Sequence, residues 1–281
     1  MKPNLLVLTD FSPAAERART YATLLAQALG AELHLVHVFA PLPIPTEAGI
    51  VMPVADERAM QESRSALEQV AAALPVPATA DLLETDWMSA VQQSVRTYRP
   101  LLLVAGLTST HGLLDEWLSN RALPLAHQTG YPVLLVPEHL PEEAMHAPKR
   151  IALAVEDRPF VLSTKAAALA PFLDVLAAEV VTVCVLPWED RAGGWIGLQA
   201  VQQCGLTSSI PRSGLHKVVN EEPAAGIRQA IREVPTDVVA LLDQGHGWLH
   251  KLFSGSVIGE VLPHTQVPVL LLPAHTLPFQ S

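Results

Sequence analysis

Features that are scarce in this sequence exclude several classes of function before any motif is considered. Basic residues number 18 against 28 acidic ones, which gives a formal net charge of −10. No cluster or stripe of Lys and Arg stands out, and nucleic acids and anionic membranes attract basic surfaces, so neither is an expected partner. The two cysteines, Cys184 and Cys204, are too few for a disulfide framework. Cys184 lies in an apolar run and is predicted to be a buried thiol.

Long apolar runs are missing as well. The sequence opens directly on a short apolar stretch, without the pattern of a signal peptide. No run approaches the roughly twenty apolar residues that would cross a membrane. These absences predict a soluble, cytoplasmic protein. The chain has 281 residues, of which 49% are hydrophobic, so it can form two domains with cores of their own.

What the sequence does contain is a long internal repeat. Residues 101–137 and 238–273 each begin with an apolar run of strand length and continue through a loop. Each then ends in a second strand-like run, PVLLVP at 132–137 and PVLLLP at 268–273. A repeat with this spacing indicates two copies of one structural unit.

The pattern of apolar residues predicts an α/β fold. Short continuous apolar runs such as Asn4 to Thr9 are typical of strands buried on both faces, and they alternate with helical patterns. Ser12 and Pro13 are suited to the cap and first position of a helix that Gly30 would end. Four prolines between residues 41 and 53 predict an irregular connection. The alternation predicts two doubly wound domains, each a five-stranded parallel sheet between helices.

A stretch at 137–148 that is rich in Pro and Glu and lacks periodicity separates the halves. We therefore expect a first domain at residues 1–140 and a second at residues 149–281. After this linker the series of strands restarts. Glu156 then stands where Asp10 stood, and Pro159 stands where Pro13 stood.

Several of these features together resemble a known family. They are Asp10-Phe11-Ser12-Pro13 after strand one, Leu35-Val36-His37-Val38 in strand two, and Gly245 with Gly255-Ser256 after the fourth strand of the second half. In these features, and along nearly its whole length, the chain resembles a tandem universal stress protein. The resemblance implies strand order 3-2-1-4-5 in each half. It also implies that the halves pair through strand five as an internal pseudo-dimer, which could pair further with a second copy.

The resemblance also implies a ligand. Nucleotide-binding members of that family carry Gly, two residues, Gly, nine residues, and then Gly-Ser or Gly-Thr. Counting back from Gly255-Ser256 places Gly245 at the second glycine and Leu242 at the first. The second half therefore keeps three of the four motif positions. The implied ligand is ATP or a related adenine nucleotide, bound weakly in the second half.

The first half departs further from the motif. Gly106 keeps the first position, but Ser109, Ser119 and Asn120 replace the others. Asp115 and Glu116 add negative charge where a triphosphate would lie, and at about 4 Å each would oppose a phosphate by about 4 kcal/mol. We therefore expect no nucleotide in the first half.

By the same resemblance, the nucleotide would lie over the carboxyl ends of strands one and four, where ligands of open α/β sheets generally bind. Glu156 would lie near the nucleoside, and Val185 would meet the base through its backbone. Glu156 is one methylene longer than the family's Asp, and the side chain of Leu242 would project where the backbone should approach the ligand. The expected nucleotide-binding residues are Val155, Glu156, Val185, Leu242, Gly245, Gly255, Ser256 and Val257.

Other site chemistries are less consistent with the sequence. The phosphate-loop pattern GxxxxGK[ST] is missing. His246 and His250 have the spacing of a metal pair on a helix, but no third ligand is evident, so no metal is expected. Ser256 shares a helix face with Glu260 and His264, yet nothing suggests an oxyanion hole, so no catalytic residues are expected.

Three classes of function remain. The first is a stress-response regulatory or scaffold protein with weak ATP binding in the second half and a protein partner that the sequence does not name. The second is a scaffold of the same fold with both pockets degenerate. The third and more distant one is an adenine-nucleotide-dependent enzyme. Two domains of about 140 residues leave no room for the extra catalytic segments that an enzyme of this group needs, so we expect a non-enzymatic protein.

Overall fold

The computed structural model describes residues 2–39, 42–45, 51–54, 57–108, 123–207, 214–244 and 257–277. Within these ranges, strands and helices alternate as the apolar pattern predicts. The strands of the first half are β1 (Asn4–Thr9), β2 (Glu32–Val38), β3 (Leu42–Pro45), β4 (Val51–Val54), β5 (Ala78–Leu83), β6 (Leu102–Leu107) and β7 (Val133–Pro137). Those of the second half are β8 (Arg150–Val155), β9 (Phe160–Leu162), β10 (Glu179–Leu186), β11 (Leu215–Val219), β12 (Val238–Asp243) and β13 (Val269–Thr276).

The helices lie between these strands. In the first half they are α1 (Pro13–Leu29), α2 (Glu57–Ala72), α3 (Trp87–Tyr98) and α4 (Leu123–Thr129). In the second half they are α5 (Thr164–Ala167), α6 (Ala170–Val175), α7 (Trp195–Gln203), α8 (Pro223–Glu233) and α9 (Val257–Val261). Short 3-10 helices occupy Glu142–Ala144, Trp188–Asp190 and Leu262–His264.

The strand order confirms the predicted topology. The first half runs β5-β2-β1-β6-β7 and the second half runs β11-β10-β8-β12-β13. Both are order 3-2-1-4-5, and every neighbouring pair within these two series is parallel. Together with β9 they form one eleven-stranded sheet within the described part of the chain.

The halves meet through their fifth strands, as predicted. β7 and β13 pair antiparallel, with Leu134 opposite Leu270 and Leu135 opposite Val269. These four side chains are buried. An apolar strand at the edge of a sheet invites pairing with another chain, and here each half covers the edge of the other.

A shared hydrophobic core lies on both faces of the sheet. Successive residues of a strand point to opposite faces, so Leu5 and Val7 belong to one buried layer and Leu6 and Leu8 to the other. Each layer contains side chains from both halves, for example Leu153 in the first layer. The two halves therefore share one core across the seam.

The first helix of the first half begins and ends where the sequence predicts. The Ser12 hydroxyl accepts a hydrogen bond of 3.2 Å from the backbone N–H of Ala15, and Pro13 is the first helical residue. Gly30 ends α1 with φ of 62°, a left-handed conformation that costs glycine little.

The second half does not repeat this start, and the prediction that Pro159 matches Pro13 is wrong. The chain first forms β9, whose residues pair antiparallel with the end of β13. Only then does Ser163 cap α5, with its hydroxyl 3.1 Å from the backbone N–H of Ala166. A strand that finds a partner far away in the sequence has therefore displaced the helix start.

The proline-rich connection predicted as irregular holds an antiparallel hairpin of β3 and β4. In the second half, the stretch from Trp188 to Gly197 contains a 3-10 turn and the start of α7 at Trp195. Cys184 is fully buried, as predicted, and burial raises the pKa of its thiol to about 12.

Candidate functional site

The carboxyl ends of the first and fourth strands form a crevice in each half, and the first-half crevice lies beside Asp10 and His37. The Asp10 carboxylate accepts a 3.0 Å hydrogen bond from the backbone N–H of Ser12. Phe11 adopts φ of 62° and sets its ring 4.7 Å from the His37 ring. Nδ1 of His37 lies 2.8 Å from the carbonyl oxygen of Thr9, so a hydrogen bond to the backbone holds this ring.

Gly106 is needed in the first half by the packing of its own helix. A Cβ at Gly106 would lie 2.3 Å from the backbone carbon of Ala14 and 2.7 Å from the backbone N of Ala15. Because these atoms belong to the first turn of α1, a larger residue could not fit without moving the helix. The first glycine of the nucleotide motif therefore serves the close approach of α1 to β6.

Leu242 occupies the same register position in the second half. Gly106 pairs with Val136 in β6 and β7, and Leu242 pairs with Leu272 in β12 and β13. The side chain of Leu242 is 4% exposed and belongs to the same buried cluster as Phe160. Since the helix of this half starts later, the space that α1 fills in the first half is open to a leucine side chain.

A polar network lies at the carboxyl ends of β8 and β12 in the second half. Glu156 forms an ion pair with Arg158. The Arg158 guanidinium also donates a 3.2 Å hydrogen bond to Oε1 of Gln244, which follows β12 directly. The Thr276 hydroxyl donates to the same oxygen. Arg158 therefore places a cation at the point where the strand order reverses.

Asp157 ties the start of α7 to this edge of the sheet. Its carboxylate accepts hydrogen bonds from the backbone N–H groups of Gly194, at 2.7 Å, and Gly197, at 2.8 Å. A Cβ at Gly197 would lie 2.8 Å from the carbonyl oxygen of Glu156 and 3.0 Å from Sγ of Cys184. The first turn of α7 therefore packs directly over the carboxyl ends of β8 and β10.

The structure places five of the eight predicted nucleotide-binding residues. Glu156 is ion-paired, and the Val185 side chain packs against α8, where a Cβ at Gly226 would lie 2.4 Å from Val185 Cγ1. Three side chains are buried and cannot contact a ligand without rearrangement; they are Val155, Leu242 and Val257. Gly245, Gly255 and Ser256 lie outside the described residues, as do His246, His250, Ser109, Asp115, Glu116, Ser119 and Asn120.

The charge at the two crevices differs. In the first half, the carboxylates of Asp10 and Glu138 lie at this edge, and Glu138 contacts the Thr108 hydroxyl at 3.4 Å. In the second half, Arg158 neutralises Glu156. The Asp157 carboxylate also lies at the second crevice, so the crevices differ in the presence of the Arg158 cation and both carry negative charge.

The nucleotide-binding motif predicted from the sequence does not include Arg158, Asp157 or Gln244. The sequence did contain a signal, because Glu156-Asp157-Arg158 is a run of three charged residues directly after a buried strand. Charged side chains at the carboxyl end of a parallel strand lie where ligands bind in this class of fold. Their mutual contacts, however, depend on elements far apart in the chain.

The described residues contain neither a cluster suited to a metal ion nor a helix suited to a membrane. No group of three or more His, Cys, Asp or Glu side chains there could hold a metal ion. No helix within the same ranges is both long and apolar enough to span a bilayer.

Comparison with known proteins agrees with this geometry. The sequence profile of the Universal stress protein family matches residues 1–137. Residues 1–137 form a universal stress protein domain. This domain contains the continuous α1, the Asp10 turn and Gly106, whereas the second half carries the displaced helix and Leu242. No sequence among curated proteins matches the chain significantly.

Solved structures extend the likeness to the whole chain at the level of the fold. A universal stress protein from Archaeoglobus fulgidus DSM 4304 has a TM-score of 0.63 and 15% identity, with 96% of each chain covered. A protein of unknown function from Pseudomonas aeruginosa PAO1 has a TM-score of 0.54 and 13% identity, covering 96% of this chain and 92% of that one. The second half thus has the same kind of fold as the first.

An adenine nucleotide fits the described part of the second crevice only in part. The Arg158 guanidinium has the chemistry to bind phosphate with two parallel hydrogen bonds, although it would have to exchange its contacts with Glu156 and Gln244 to do so. The nucleoside is accommodated less well, because Glu156 is already paired and the first turn of α7 covers the ends of β8 and β10. These residues therefore fit the phosphate end of the ligand better than its base.

Proposed function

We propose that this chain is a stress-response regulatory or scaffold protein whose second half binds an adenine nucleotide weakly, with ATP as the reference ligand. It acts by binding rather than by catalysis. The observation that supports nucleotide binding is the position of the Arg158 guanidinium, which contacts both Glu156 and Gln244. Gln244 directly precedes Gly245 of the nucleotide motif. The universal stress protein domain at residues 1–137 supports the family-level role.

The phosphate end of the ligand should contribute more of the affinity than the nucleoside. On this proposal Arg158 meets the phosphates, and the first turn of α7 partly covers the position proposed for the nucleoside. ATP should therefore bind with micromolar affinity or more weakly, and adenosine at least about tenfold more weakly than ATP. Loss of one charge-assisted hydrogen bond corresponds to about 1.5–3 kcal/mol.

Calorimetric titration of the full chain tests the proposal. Wild type should show at most one ATP site, and Arg158→Gln should weaken binding at least about tenfold. Gly255→Asp should abolish binding, because it adds a side chain and a negative charge within the motif. Arg232→Gln is the matched control, since this exposed residue lies in the last turn of α8 and loses the same charge.

Contrary results would be clear. Two equivalent ATP sites, or binding that survives Gly255→Asp but is lost on changing Ser119, would reverse the assignment of the halves. Equal affinity for adenosine and ATP would refute the role of Arg158.

A second candidate function is a scaffold that binds no nucleotide. It is favoured by the close packing of Gly197 on the Glu156 carbonyl and by the burial of Leu242. This candidate predicts no heat of ATP binding in the wild type or in any variant. The same titration therefore separates the two.

A further inference from the structure

An exposed apolar surface that the nucleotide proposal does not use lies at the carboxyl ends of β10 and β11. Of the eight large apolar side chains that are exposed among the described residues, four lie here: Trp188, Trp195, Ile196 and Val219. Trp188 is 63% exposed and Trp195 is 61% exposed. Single exposed apolar residues are ordinary, whereas a group of them is typical of an interaction site. We call these four residues the tryptophan surface.

Side chains from neighbouring elements hold the backbone between the two tryptophans in place. The Asp157 carboxylate accepts a 2.7 Å hydrogen bond from the backbone N–H of Gly194, directly before α7. Lys217 of β11 donates a 3.2 Å hydrogen bond to the carbonyl oxygen of Ala192. Because this segment is already ordered, a partner that binds to it loses little affinity to the ordering of the chain.

Two cations of the same segment and strand lie on the indole rings. The guanidinium carbon of Arg191 is 4.8 Å from the centroid of the Trp188 ring. Nζ of Lys217 is 4.3 Å from the centroid of the Trp195 ring. Cation–π contacts of this kind stabilise the position of each ring. Tryptophan and arginine are the side chains that most often dominate the binding energy of protein interfaces, so the surface has the composition of a docking site.

Exposed carboxylates give this surface a negative charge. Glu189 and Asp190 directly follow Trp188, and Glu221 and Glu222 come after β11. The carboxylate of Glu221 accepts a 3.0 Å hydrogen bond from the backbone N–H of Trp188. Within the described ranges, none of these four carboxylates forms an ion pair. They outnumber the two cations that lie on the indoles, so the surface attracts a positively charged partner.

We propose that the tryptophan surface docks a basic amphipathic helix of a partner protein. The apolar face of that helix packs on Trp188 and Trp195, and its Lys or Arg side chains pair with the four carboxylates. A second copy of this chain suits the surface less well, because the whole chain carries a net charge of −10 and like charges repel. The inference rests on the scaffold role proposed above and is independent of nucleotide binding.

Fluorescence anisotropy of a labelled peptide, titrated with the full chain, tests the charge preference. The probe is the peptide LKKLLKLLKKLLKL, whose leucines share one face of a helix. The comparison peptide has Glu in place of every Lys. The basic peptide should bind at least about tenfold more tightly than the acidic one, because like charges across an interface oppose binding. Raising the salt concentration from about 0.1 M to about 1 M should weaken its binding, since salt screens exposed charges.

Trp188→Ala and Trp195→Ala test the apolar anchors. Each should weaken binding of the basic peptide at least about tenfold, as expected for the centre of an interface. Both side chains are exposed, so each variant should melt close to the wild-type temperature. Val175→Ala is the control, because this apolar residue is 66% exposed at the end of α6 and lies outside the tryptophan surface. It should bind the basic peptide as wild type does.

A charge variant tests the carboxylates. Glu189→Gln combined with Asp190→Asn should weaken binding of the basic peptide about threefold, the effect of two exposed ion pairs. Glu57→Gln combined with Glu68→Gln is the matched control, since it removes two exposed carboxylates from α2 in the first half. This control should leave binding unchanged.

Three results would overturn the proposal. They are the absence of basic-peptide binding to wild type, equal binding of the acidic peptide, and unchanged binding by the folded variants Trp188→Ala and Trp195→Ala. Sedimentation velocity of the chain alone tests the other occupant. A dimer that Trp188→Ala dissociates would show that a second copy covers the surface instead of a basic partner.

ATP titration separates this inference from nucleotide binding. Trp188→Ala should bind ATP as wild type does. Normal ATP binding without peptide binding would refute the tryptophan surface alone. Peptide binding without ATP binding would refute the nucleotide site and leave the docking surface intact.

Discussion

At one register position near the end of its fourth strand, the first half has Gly106 and the second half has Leu242. Around Gly106 the first turn of α1 approaches the strand so closely that a Cβ would overlap it. Around Leu242 the helix starts later, after β9, and the leucine is buried in the core. A glycine that belongs to a ligand-binding motif can therefore be required by helix packing instead. In the half where leucine replaces this glycine, the first helix also starts later in the chain.

Substitutions at these two positions should have the largest effect. Gly106→Leu places a side chain against the backbone of α1, and we expect it to cost more than about 4 kcal/mol of unfolding free energy. Leu242→Ala leaves a cavity and should cost about 2–5 kcal/mol. Urea unfolding of each variant measures both values.

Gly30→Ala is the control for Gly106→Leu. Nothing lies within 4 Å of its Cβ position, and its φ is 62°, so we expect only the strain of a left-handed residue, about 1–2 kcal/mol. If Gly106→Leu were no more destabilising than Gly30→Ala, the packing explanation would fail.

The pH dependence of stability should also differ between the halves. His34 stacks on Tyr98 at 3.9 Å, and its Nδ1 lies 2.7 Å from the Thr79 hydroxyl. Burial lowers the pKa of His34, although the carboxylates of Glu32 and Asp81 oppose this effect. The position equivalent to His34 in the second half is Val181, because Leu33 and Val180 pair with equivalent residues of β1 and β8.

The sign of the effect follows from this lowered pKa. Below the unfolded pKa of about 6.5, the unfolded chain binds a proton at His34 more readily than the folded one. The stability contributed by neutral His34 is therefore complete above about pH 6.5 and is lost as pH falls through the folded pKa. His34→Val should make the unfolding free energy less dependent on pH between 7 and 5. An unchanged pH profile would show that His34 is not responsible.

The smallest expected difference concerns the ion pairs at the start of the second strands. Arg150 contacts Glu179 through Nε at 3.0 Å and Nη2 at 2.9 Å, whereas Lys2 contacts Glu32 at 3.4 Å with its side chain 70% exposed. Glu179→Gln should cost about 0.5–1 kcal/mol and Glu32→Gln less than about 0.5 kcal/mol. A double-mutant cycle with Arg150→Gln isolates the pair, and an equal cost in both halves would contradict the expectation.

The topology was predictable from the sequence because its signals are local. Buried parallel strands read as short apolar runs, and Ser12, Pro13 and Gly30 mark the limits of α1 without reference to distant residues. The motif spacing also predicted that Leu242 is equivalent to Gly106, and the strand registers of the two halves agree.

The displaced helix was not predictable in the same way. β9 forms because Phe160–Leu162 pairs antiparallel with Ala274–Thr276, which lies more than a hundred residues away in the sequence. The contacts of Asp157 with Gly194 and of Arg158 with Gln244 are equally non-local. The roles of Gly245, Gly255 and Ser256 stay predictions, since these residues lie outside the described ranges.

The antiparallel pairing of β7 with β13 has a consequence for valency. In the main sheet, the strands of the first half are parallel to β7 and those of the second half are parallel to β13. Because β7 and β13 are antiparallel, the carboxyl ends of the strands lie at one edge of the sheet in the first half and at the opposite edge in the second half. The two crevices therefore face away from each other. A rigid partner with one site for each crevice could not close on a single molecule. It would join the first crevice of one copy to the second crevice of the next, and such head-to-tail contacts extend into open chains.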